Sequence, residues 1–503
     1  MKYLGTGLLF MAPLANGNVH AQNAVTRSTK GIEYNVGIES SFAKGKTPLW
    51  MTANRYGLSS VDKNNGLLRV GIEKQSAKDS LHSWRFGYIA DVAVAYNHAR
   101  TGIIQQCAAN FDYKALSLTI GAKEEPMAMK NQELSSGSQT FGINARPIPQ
   151  IKIGLPEYLV ITGKKHPWAA IRGFLSYGMM TDGKFQKDYL SPQDRYSRKV
   201  LYHAKAGYLR LGNEAKFPLT FEGGLEMASQ FGGTIYNYDL GNGELSAPIH
   251  MSHTAKDFFK ITFGMGSDPT DGAYSNALGN TVGSWLFRLN YKGKNWGASV
   301  YYDHYFEDHS QLFFEYGWLD GLVGVEVNLP KNRVVSNMVY EFLKTTYQSG
   351  PLYHDHTDAV PDQISGNDRY YYHGLYTGWQ HWGQAIGNPL YTAPLYHKED
   401  KLEFRYNRFK AHHIGINGDP TDNFHYRFLY SFERNWRMYD YPLEHSITTH
   451  SMLLETTYTP ERIGKLNTKG WLLGLSFALD HGTLLGNNTG FEIKIAKSGL
   501  LTR

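Results

Sequence analysis

The sequence predicts an all-β fold, a transmembrane antiparallel β-barrel, from residue alternation, the recurrence of that alternation and an apolar N-terminus. The most informative stretch runs from Trp84 to Asn97. Its even positions are all apolar: Trp84, Phe86, Tyr88, Ala90, Val92, Val94 and Tyr96. Period two over this length is typical of a strand with one apolar and one polar face, and aromatic residues at both ends fit the two membrane interfaces. We expect Trp84, Phe86, Tyr88, Val92 and Val94 to face lipid, and Arg85, Asp91 and Asn97 to face the lumen.

The same alternation recurs along the chain. The apolar members of later runs are Leu219, Phe221, Leu225 and Met227; Trp285, Phe287, Leu289 and Tyr291; Leu402, Phe404 and Tyr406; Tyr426, Phe428, Tyr430 and Phe432; and Leu473, Leu475, Phe477 and Leu479. We count roughly 16 to 20 candidate strands from about Ile32 to the end of the chain. A soluble sandwich gives the same period, so alternation alone leaves both folds open.

The N-terminus favours export. Met1 and Lys2 precede an apolar stretch from Tyr3 to about Leu14, and Val19-His20-Ala21 offers a small-x-small cleavage site. We therefore predict a signal peptide at residues 1–21 and one barrel domain at 22–503, with a buried first strand or helix as the alternative reading of the same residues. No later stretch approaches the roughly 18 uninterrupted apolar residues that a membrane helix requires. If the chain spans a bilayer, it does so as a barrel.

Composition narrows the expected partners. Lys and Arg total 51 against 45 Asp and Glu, a net charge of +6 over 503 residues with no basic run. Such weak and dispersed charge argues against nucleic acid as a partner. The 35 Tyr and 25 Phe fit interfacial aromatic belts. We expect a monomer that contacts outer-membrane lipid, located in the cell outer membrane.

Short turns and long loops alternate. Lys292-Gly293-Lys294-Asn295 is a tight turn that joins two strand-like runs, and irregular stretches lie outside those runs. The long loops of outer-membrane barrels face the cell exterior. The longest irregular stretch, from about Tyr347 to Lys398, is rich in aromatic residues, amides and histidines, a composition typical of sugar sites. A plug packed inside the barrel mouth is equally compatible with it. The candidate carbohydrate-binding residues, expected at or near the extracellular mouth, are Tyr370, Tyr371, Tyr372, Trp379, His381, Trp382 and Gln384.

Other polar clusters carry weaker signals. Asn144 and Arg146 precede Pro147-Ile148-Pro149, which holds the backbone extended. We predict that they pair with charges in the lumen or plug, and a sugar acid is the alternative partner of Arg146. Histidines and carboxylates at 354–358 and 303–309 have metal-ligand types but lack helical His-Glu-x-x-His spacing. We predict no bound metal and no cofactor.

Three segments carry a family resemblance. They are Gly378-Trp379 with Gly383-Gln384-Ala385-Ile386-Gly387-Asn388-Pro389-Leu390, Glu133 to Ser138 leading into Asn144 to Pro149, and Glu307 to Ser310 leading to Leu319 to Leu322 and Tyr340 to Phe342. From about Pro48 onward the chain resembles the capsule assembly Wzi family. That resemblance implies a barrel of about 18 strands closed by inward loops and a small periplasmic helical element. It also implies a lectin role in holding capsular polysaccharide. Gln384 stands where the family pattern has arginine.

The sequence thus predicts a non-enzymatic outer-membrane barrel that binds capsular or other surface polysaccharide. An outer-membrane diffusion porin shares every strand feature and remains the main alternative. A membrane hydrolase is a third reading, because residues on neighbouring strands are not neighbours in sequence.

Overall fold

Strands dominate the computed structural model, which describes residues 31–75, 84–163, 166–266, 278–307, 312, 320–348, 369–397 and 401–501. Eighteen strands form one antiparallel sheet. They are β1 Glu33–Lys44, β2 Asn64–Lys74, β3 Trp84–Tyr96, β4 Gly102–Tyr113, β5 Leu116–Ala122, β6 Gln150–Val160, β7 Ala169–Met179, β8 Leu201–Leu211, β9 Leu219–Phe231, β10 Asn280–Lys292, β11 Gly297–Glu307, β12 Gly321–Asn328, β13 Asn337–Lys344, β14 Phe409–Thr421, β15 Phe424–Asn435, β16 Ile447–Tyr458, β17 Trp471–Gly482 and β18 Asn488–Leu500. The first strand pairs with the last, from Glu33 opposite Leu500 to Lys44 opposite Thr489. The sheet is therefore a closed barrel, as the sequence predicts.

The two faces of β3 confirm the predicted alternation. Trp84, Phe86, Val92 and Val94 are exposed on the outer wall, and Tyr88 is half-buried on the same face. Asp91 is buried in the lumen, where both of its oxygens accept hydrogen bonds from Nε of Arg69 at 2.9–3.0 Å. In a closed barrel each strand turns its charged face to the lumen, where side chains of opposite charge on neighbouring strands can pair with it.

Two strand predictions are wrong. Leu402, Phe404 and Tyr406 lie before β14 and outside any strand, with Leu402 and Phe404 fully buried inside the barrel rather than facing lipid. Their alternation reflects packing of the loop interior. Asn97 lies one residue beyond β3 in a left-handed turn with φ 53°, exposed, where its Nδ2 donates to the carbonyl oxygen of Asn64.

Loop lengths orient the barrel. The chain enters β1 and leaves β18 at the same end, which also carries the turns at 114–115, 293–296 and 422–423. The opposite end carries the connections at 45–63, 123–149, 180–200, 232–279 and 345–408. Because outer-membrane barrels have short periplasmic turns and long external loops, the second end is extracellular.

Helices are short and belong to these external connections. They are α1 Leu49–Thr52, α2 Gly183–Tyr189 and α3 Ala255–Thr262. In the described ranges none is long and apolar enough to cross a membrane. The helical element that the resemblance implies on the periplasmic side is not found among these residues, since all three helices follow strands that end at the extracellular side. The predicted signal segment, 1–21, lies outside the described residues.

The lumen holds three inward segments, 45–63, 123–149 and 369–397, which together we call the plug. Asn54 donates from its backbone N–H to Oδ1 of Asn144 at 3.1 Å, and Asn144 donates to the carbonyl oxygen of Ala385 at 3.0 Å. One side chain thereby joins all three segments. Barrels of 16–18 strands leave an aqueous channel unless something fills it, and here the plug does so.

Ion pairs and charged hydrogen bonds attach the plug to the wall. Arg55 lies 2.9 Å from Glu492 and 3.2 Å from Glu455, both on inner faces of strands. Glu341 accepts hydrogen bonds from the hydroxyls of Ser135 and Ser136 at 2.6 and 2.5 Å. Charge-assisted bonds of this kind are among the stronger polar contacts in proteins.

Candidate functional site

Four external loops, 97–101, 123–149, 180–200 and 345–408, converge on one tryptophan. The guanidinium carbon of Arg146 lies 4.3 Å from the ring centroid of Trp382, and that of Arg100 lies 5.6 Å from it. Phe185 packs on the same ring at 5.4 Å, and Thr181 Oγ1 accepts the indole N–H at 3.0 Å. We call these five residues the mouth cluster. It unites two cations and an aromatic ring at the extracellular end of the barrel.

A tight hairpin places Trp382 there. Gln380–His381 pairs with Gln384–Ala385, and the two turn residues, Trp382 and Gly383, have φ of 58° and 78°. Two positive values define the type I′ turn that connects two-residue hairpins, and a bulky side chain at such a position is rare. Backbone strain of this kind costs on the order of 1–3 kcal/mol and persists where neighbouring contacts impose it. Here Trp382 N–H donates to Asp182 at 3.3 Å and Gly383 N–H to Gln380 Oε1 at 2.7 Å.

His381 ties the hairpin to two other loops. Its Nδ1 lies 2.8 Å from the carbonyl oxygen of Arg146, and its Nε2 accepts the backbone N–H of Thr181 at 3.2 Å. This arrangement requires a neutral ring with its proton on Nδ1. Burial lowers the pKa of His381, which keeps the ring neutral. The histidine therefore positions Arg146 and Thr181 of the mouth cluster.

The cluster has more positive charge than its described surroundings neutralise. Arg146 is only 7% exposed, its Nε has no hydrogen-bond partner, and no described carboxylate forms an ion pair with it. Burial, followed by repulsion from Arg100, lowers the pKa of Arg146 to about 10, and attraction to the Asp182 carboxylate offsets only part of that shift. Burial and then Arg146 lower the pKa of nearby His98 to about 4, so that ring is neutral at pH 7. An anion placed between the two arginines would relieve this unfavourable arrangement.

The predicted carbohydrate residues are mostly buried. Tyr370, Tyr371, Trp379, His381, Trp382 and Gln384 each have at most 5% of their surface exposed. The stacked rings of Tyr371 and Tyr391 lie 3.9 Å apart, and Trp379 donates to the carbonyl oxygen of Thr140 at 3.2 Å. These contacts are those of a packed plug, the alternative that composition left open. Tyr372 is half-buried, with the guanidinium carbon of Arg369 4.8 Å from its ring centroid.

Asn144 and Arg146, which the sequence predicts to pair with charges in the lumen or plug, lie in different surroundings. Asn144 belongs to the plug, but it joins plug segments through neutral hydrogen bonds rather than ion pairs. Arg146 stacks on Trp382 instead of meeting a lumen carboxylate in the described part of the chain. The physical reason is placement: Arg146 lies at the external end, above the carboxylates that line the strands.

Metal-ligand clusters of three or more His, Cys, Asp or Glu are absent from the described ranges. Among the candidate ligands at 303–309, Asp303 lies 3.5 Å from the ammonium group of Lys130 and forms a structural ion pair with it. The candidates at 354–358 and His309 lie outside the described residues.

Sequence reasoning missed Arg100, Thr181 and Phe185. They occur in three separate loops, and only closure of the barrel brings them to Trp382. A weak signal did exist: Arg100 stands in the short connection that follows the strongly alternating strand β3, as an isolated cation among neutral residues.

A closed barrel with an apolar outer wall and charged inner faces is an outer-membrane β-barrel protein, and it lies in the outer membrane. No protein-family model matches the sequence, and no curated protein matches it. Among solved structures, it is similar to the Escherichia coli protein Wzi, described as a carbohydrate-binding β-barrel involved in group 1 capsule assembly. The TM-score is 0.55 at 13% identity, covering 95% of this chain and 86% of that one.

Two Pseudomonas aeruginosa barrels also match with lower scores. OprD gives a TM-score of 0.45 at 8% identity over 94% of this chain and 96% of its own, and OpdK gives 0.45 at 9% over 93% and 98%. At such identities the similarity to Wzi shows the barrel fold alone, because one fold supports many functions. Evidence for function must therefore come from the site.

Proposed function

We propose that this protein is a non-enzymatic, plugged barrel that binds an acidic surface polysaccharide, such as a capsule, at its extracellular mouth and helps to retain it there. This proposal places the chain with the capsule assembly Wzi family, in accord with the three sequence motifs and the Wzi-like fold. The observation that carries it is the largely buried guanidinium of Arg146 in the mouth cluster, which forms no ion pair with any described carboxylate.

The plug supports binding over diffusion. Its segments are joined to each other through Asn144 and to the wall through Arg55 and Glu341, with few accessible side chains between them. A solute would have to displace these contacts to cross the barrel. A surface ligand would not.

The chemistry of the mouth cluster favours an acidic sugar. A guanidinium matches a carboxylate geometrically and can donate two parallel hydrogen bonds to it. One face of Trp382 lies against Arg146 and the ring also contacts Phe185, so it holds the cation in place more than it offers a surface for stacking. Tyr372, half-buried near the same loop, is the better candidate for contact with a sugar ring.

Binding measurements test this proposal. Purified protein in nanodiscs is passed over the native surface polysaccharide and over the same polymer with its carboxyl groups reduced. We expect Arg146→Gln and Arg100→Gln each to weaken binding of the native polymer, since a hydrogen bond to a charged group contributes about 1.5–3 kcal/mol, and repeated sites amplify the loss. The matched control is Arg462→Gln, an exposed arginine in the periplasmic connection 459–470.

Three results would contradict the proposal. Equal binding of native and carboxyl-reduced polymer would remove the role of charge. Unchanged binding by both arginine variants would move the site elsewhere. Large, steady conductance of the unmodified protein in planar bilayers would favour the diffusion porin.

A further inference from the structure

Helix α3 lies on the outside of the barrel, although its loop begins at the extracellular rim. Phe231 shares the outer face of β9 with the exposed Phe221, yet it is fully buried. The ring of Phe258 covers it at 5.2 Å in an edge contact and lies 5.2 Å from the ring of Tyr177. Tyr177 is on the outer face of β7, in register with His203 of β8. The helix therefore packs against the outer wall of three adjacent strands.

Polar contacts fix the helix to that wall. Tyr177 Oη donates to the carbonyl oxygen of Phe258 at 3.1 Å, and Lys205, from the outer face of β8, donates to the carbonyl oxygen of Thr262. A cation at the C-terminal carbonyls of a helix is favourable, and it also satisfies a lysine that would otherwise lie on the outer wall. At the other end, Thr254 and Asp257 form a capping box. The orientation of α3 is thus defined at both ends.

The opposite face of α3 carries exposed aromatic rings, and no described residue covers them. Phe259 and Phe263 are 61% and 62% exposed, with their rings 4.8 Å apart, and Met265 is 53% exposed. Lys256 and Lys260 alternate with the phenylalanines at spacings of three and four residues, so all four side chains share one face. Apolar rings beside lysines on one helix are typical of helices that lie in a membrane interface.

We propose that α3 is an interfacial helix that lies in the outer-leaflet boundary, with Phe259, Phe263 and Met265 among the lipids and Lys256 and Lys260 against anionic headgroups. Continuity with the lipid-facing wall carries this assignment. The helix rests on the same outer face that presents Leu209 and Phe221 to lipid towards the periplasmic ends of β8 and β9. It extends the lipid-contacting surface at the extracellular rim and is independent of polysaccharide binding.

Spin labelling of the full chain in nanodiscs of phosphatidylglycerol and phosphatidylcholine tests the proposal. In a Cys107→Ser background, single cysteines replace Phe259, Phe263, Asn242 and Val300, and each label's collisions with oxygen and with a water-soluble nickel chelate are measured. Asn242 lies exposed in the same external connection, and Val300 is exposed on the outer face of β11. Normal heat-dependent band shift on gels confirms folding of each variant.

We expect the ratio of oxygen to nickel collisions at Phe259 and Phe263 to exceed that at Asn242 several-fold and to approach that at Val300. A ratio equal to that at Asn242 would place the helix in water and overturn the proposal. Low collision rates with both reagents would mean that protein covers the face, which also overturns it. In pure phosphatidylcholine, the label at Phe263 should become more accessible to nickel, and an unchanged value would overturn the lysine contact with anionic headgroups.

Discussion

Gly387 is the position at which the closed plug can be tested most directly. A Cβ atom added there would overlap the carbonyl oxygen of Gln139 and the hydroxyl oxygen of Tyr371. The backbone of Gly387 is not left-handed, so the strain of Gly387→Ala is steric rather than conformational. Two segments of the plug must separate to admit one methyl group.

The cost follows from the contacts at this point. Overpacking of a dense interior costs about 1–3 kcal/mol. Asn388 N–H donates to Tyr371 Oη at 2.9 Å, and Gly142 N–H donates to the carbonyl oxygen of Ile386 at 3.1 Å. Losing both adds about 1 kcal/mol each. Docking of the plug should therefore weaken by about 3–5 kcal/mol, while the hydrogen-bonded wall of the barrel stays intact.

Planar-bilayer conductance and hydrogen exchange measure this effect. We expect Gly387→Ala to conduct where the unmodified protein is closed and to exchange amides in 369–397 faster. The matched control is Gly207→Ala, because a Cβ at that exposed outer-wall position has no atom within 4 Å. If Gly387→Ala behaves like the control in both assays, the plug is not closed by this contact. If it fails to form a barrel at all, the separation between wall and plug energetics is wrong.

Further predictions concern the wall, the plug anchor and pH. Val92→Arg, at a lipid-facing position that is 49% exposed, should lower the free energy of unfolding in urea by about 2–4 kcal/mol, against little for Val92→Leu. Arg55→Met should cost about 3–5 kcal/mol because Glu492 loses its ion-pair partner and Glu455 keeps only Arg427, and adding Glu492→Gln should recover part of it. Burial and then a nearby arginine lower the pKa of His373 to about 3, and its Nδ1 accepts two backbone N–H groups of its own turn. Below the ordinary histidine pKa of about 6.5, the native state therefore binds fewer protons than the unfolded state does. Acidification from pH 7 to 5 should destabilise this turn by up to about 2 kcal/mol. Amide exchange in the turn should become faster at pH 5, and His373→Gln should not show this change.

The wall of the barrel was predictable because its physics is local in sequence. Each spanning strand must present one face to lipid, so Trp84 to Tyr96 and Trp471 to Leu479 carry period two without knowledge of their neighbours. The run from Leu402 to Tyr406 shows the limit of this rule. An extended segment packed inside the plug also alternates, and only strand pairing distinguishes it from a wall strand.

The site was less predictable because aromatic and amide residues serve a plug and a sugar site equally well. Asn388 has the chemistry of a hydroxyl-binding residue, yet its amide donates to Ser136 Oγ and the carbonyl oxygen of Gly137. Tyr371 likewise uses its ring and hydroxyl inside the plug. Composition specifies which interactions a segment can make, whereas the partner depends on contacts between distant loops.

Unpaired charge distinguishes a ligand-binding residue from a plug residue better than aromatic content does. A buried neutral amide satisfied by the plug leaves nothing for a ligand, as at Asn144. A mostly buried guanidinium that forms no ion pair with a carboxylate is costly unless something else supplies negative charge next to it, since an unpaired charge away from water is strongly unfavourable. In this barrel the wall cations Arg69 and Arg288 have such partners at 2.5–2.9 Å, and Arg146 does not. Arg146 lies at the extracellular end, where a surface polymer can reach it. An external anion that pairs with Arg146 would therefore explain why this arginine, unlike Arg69 and Arg288, has no ion-pair partner within the barrel.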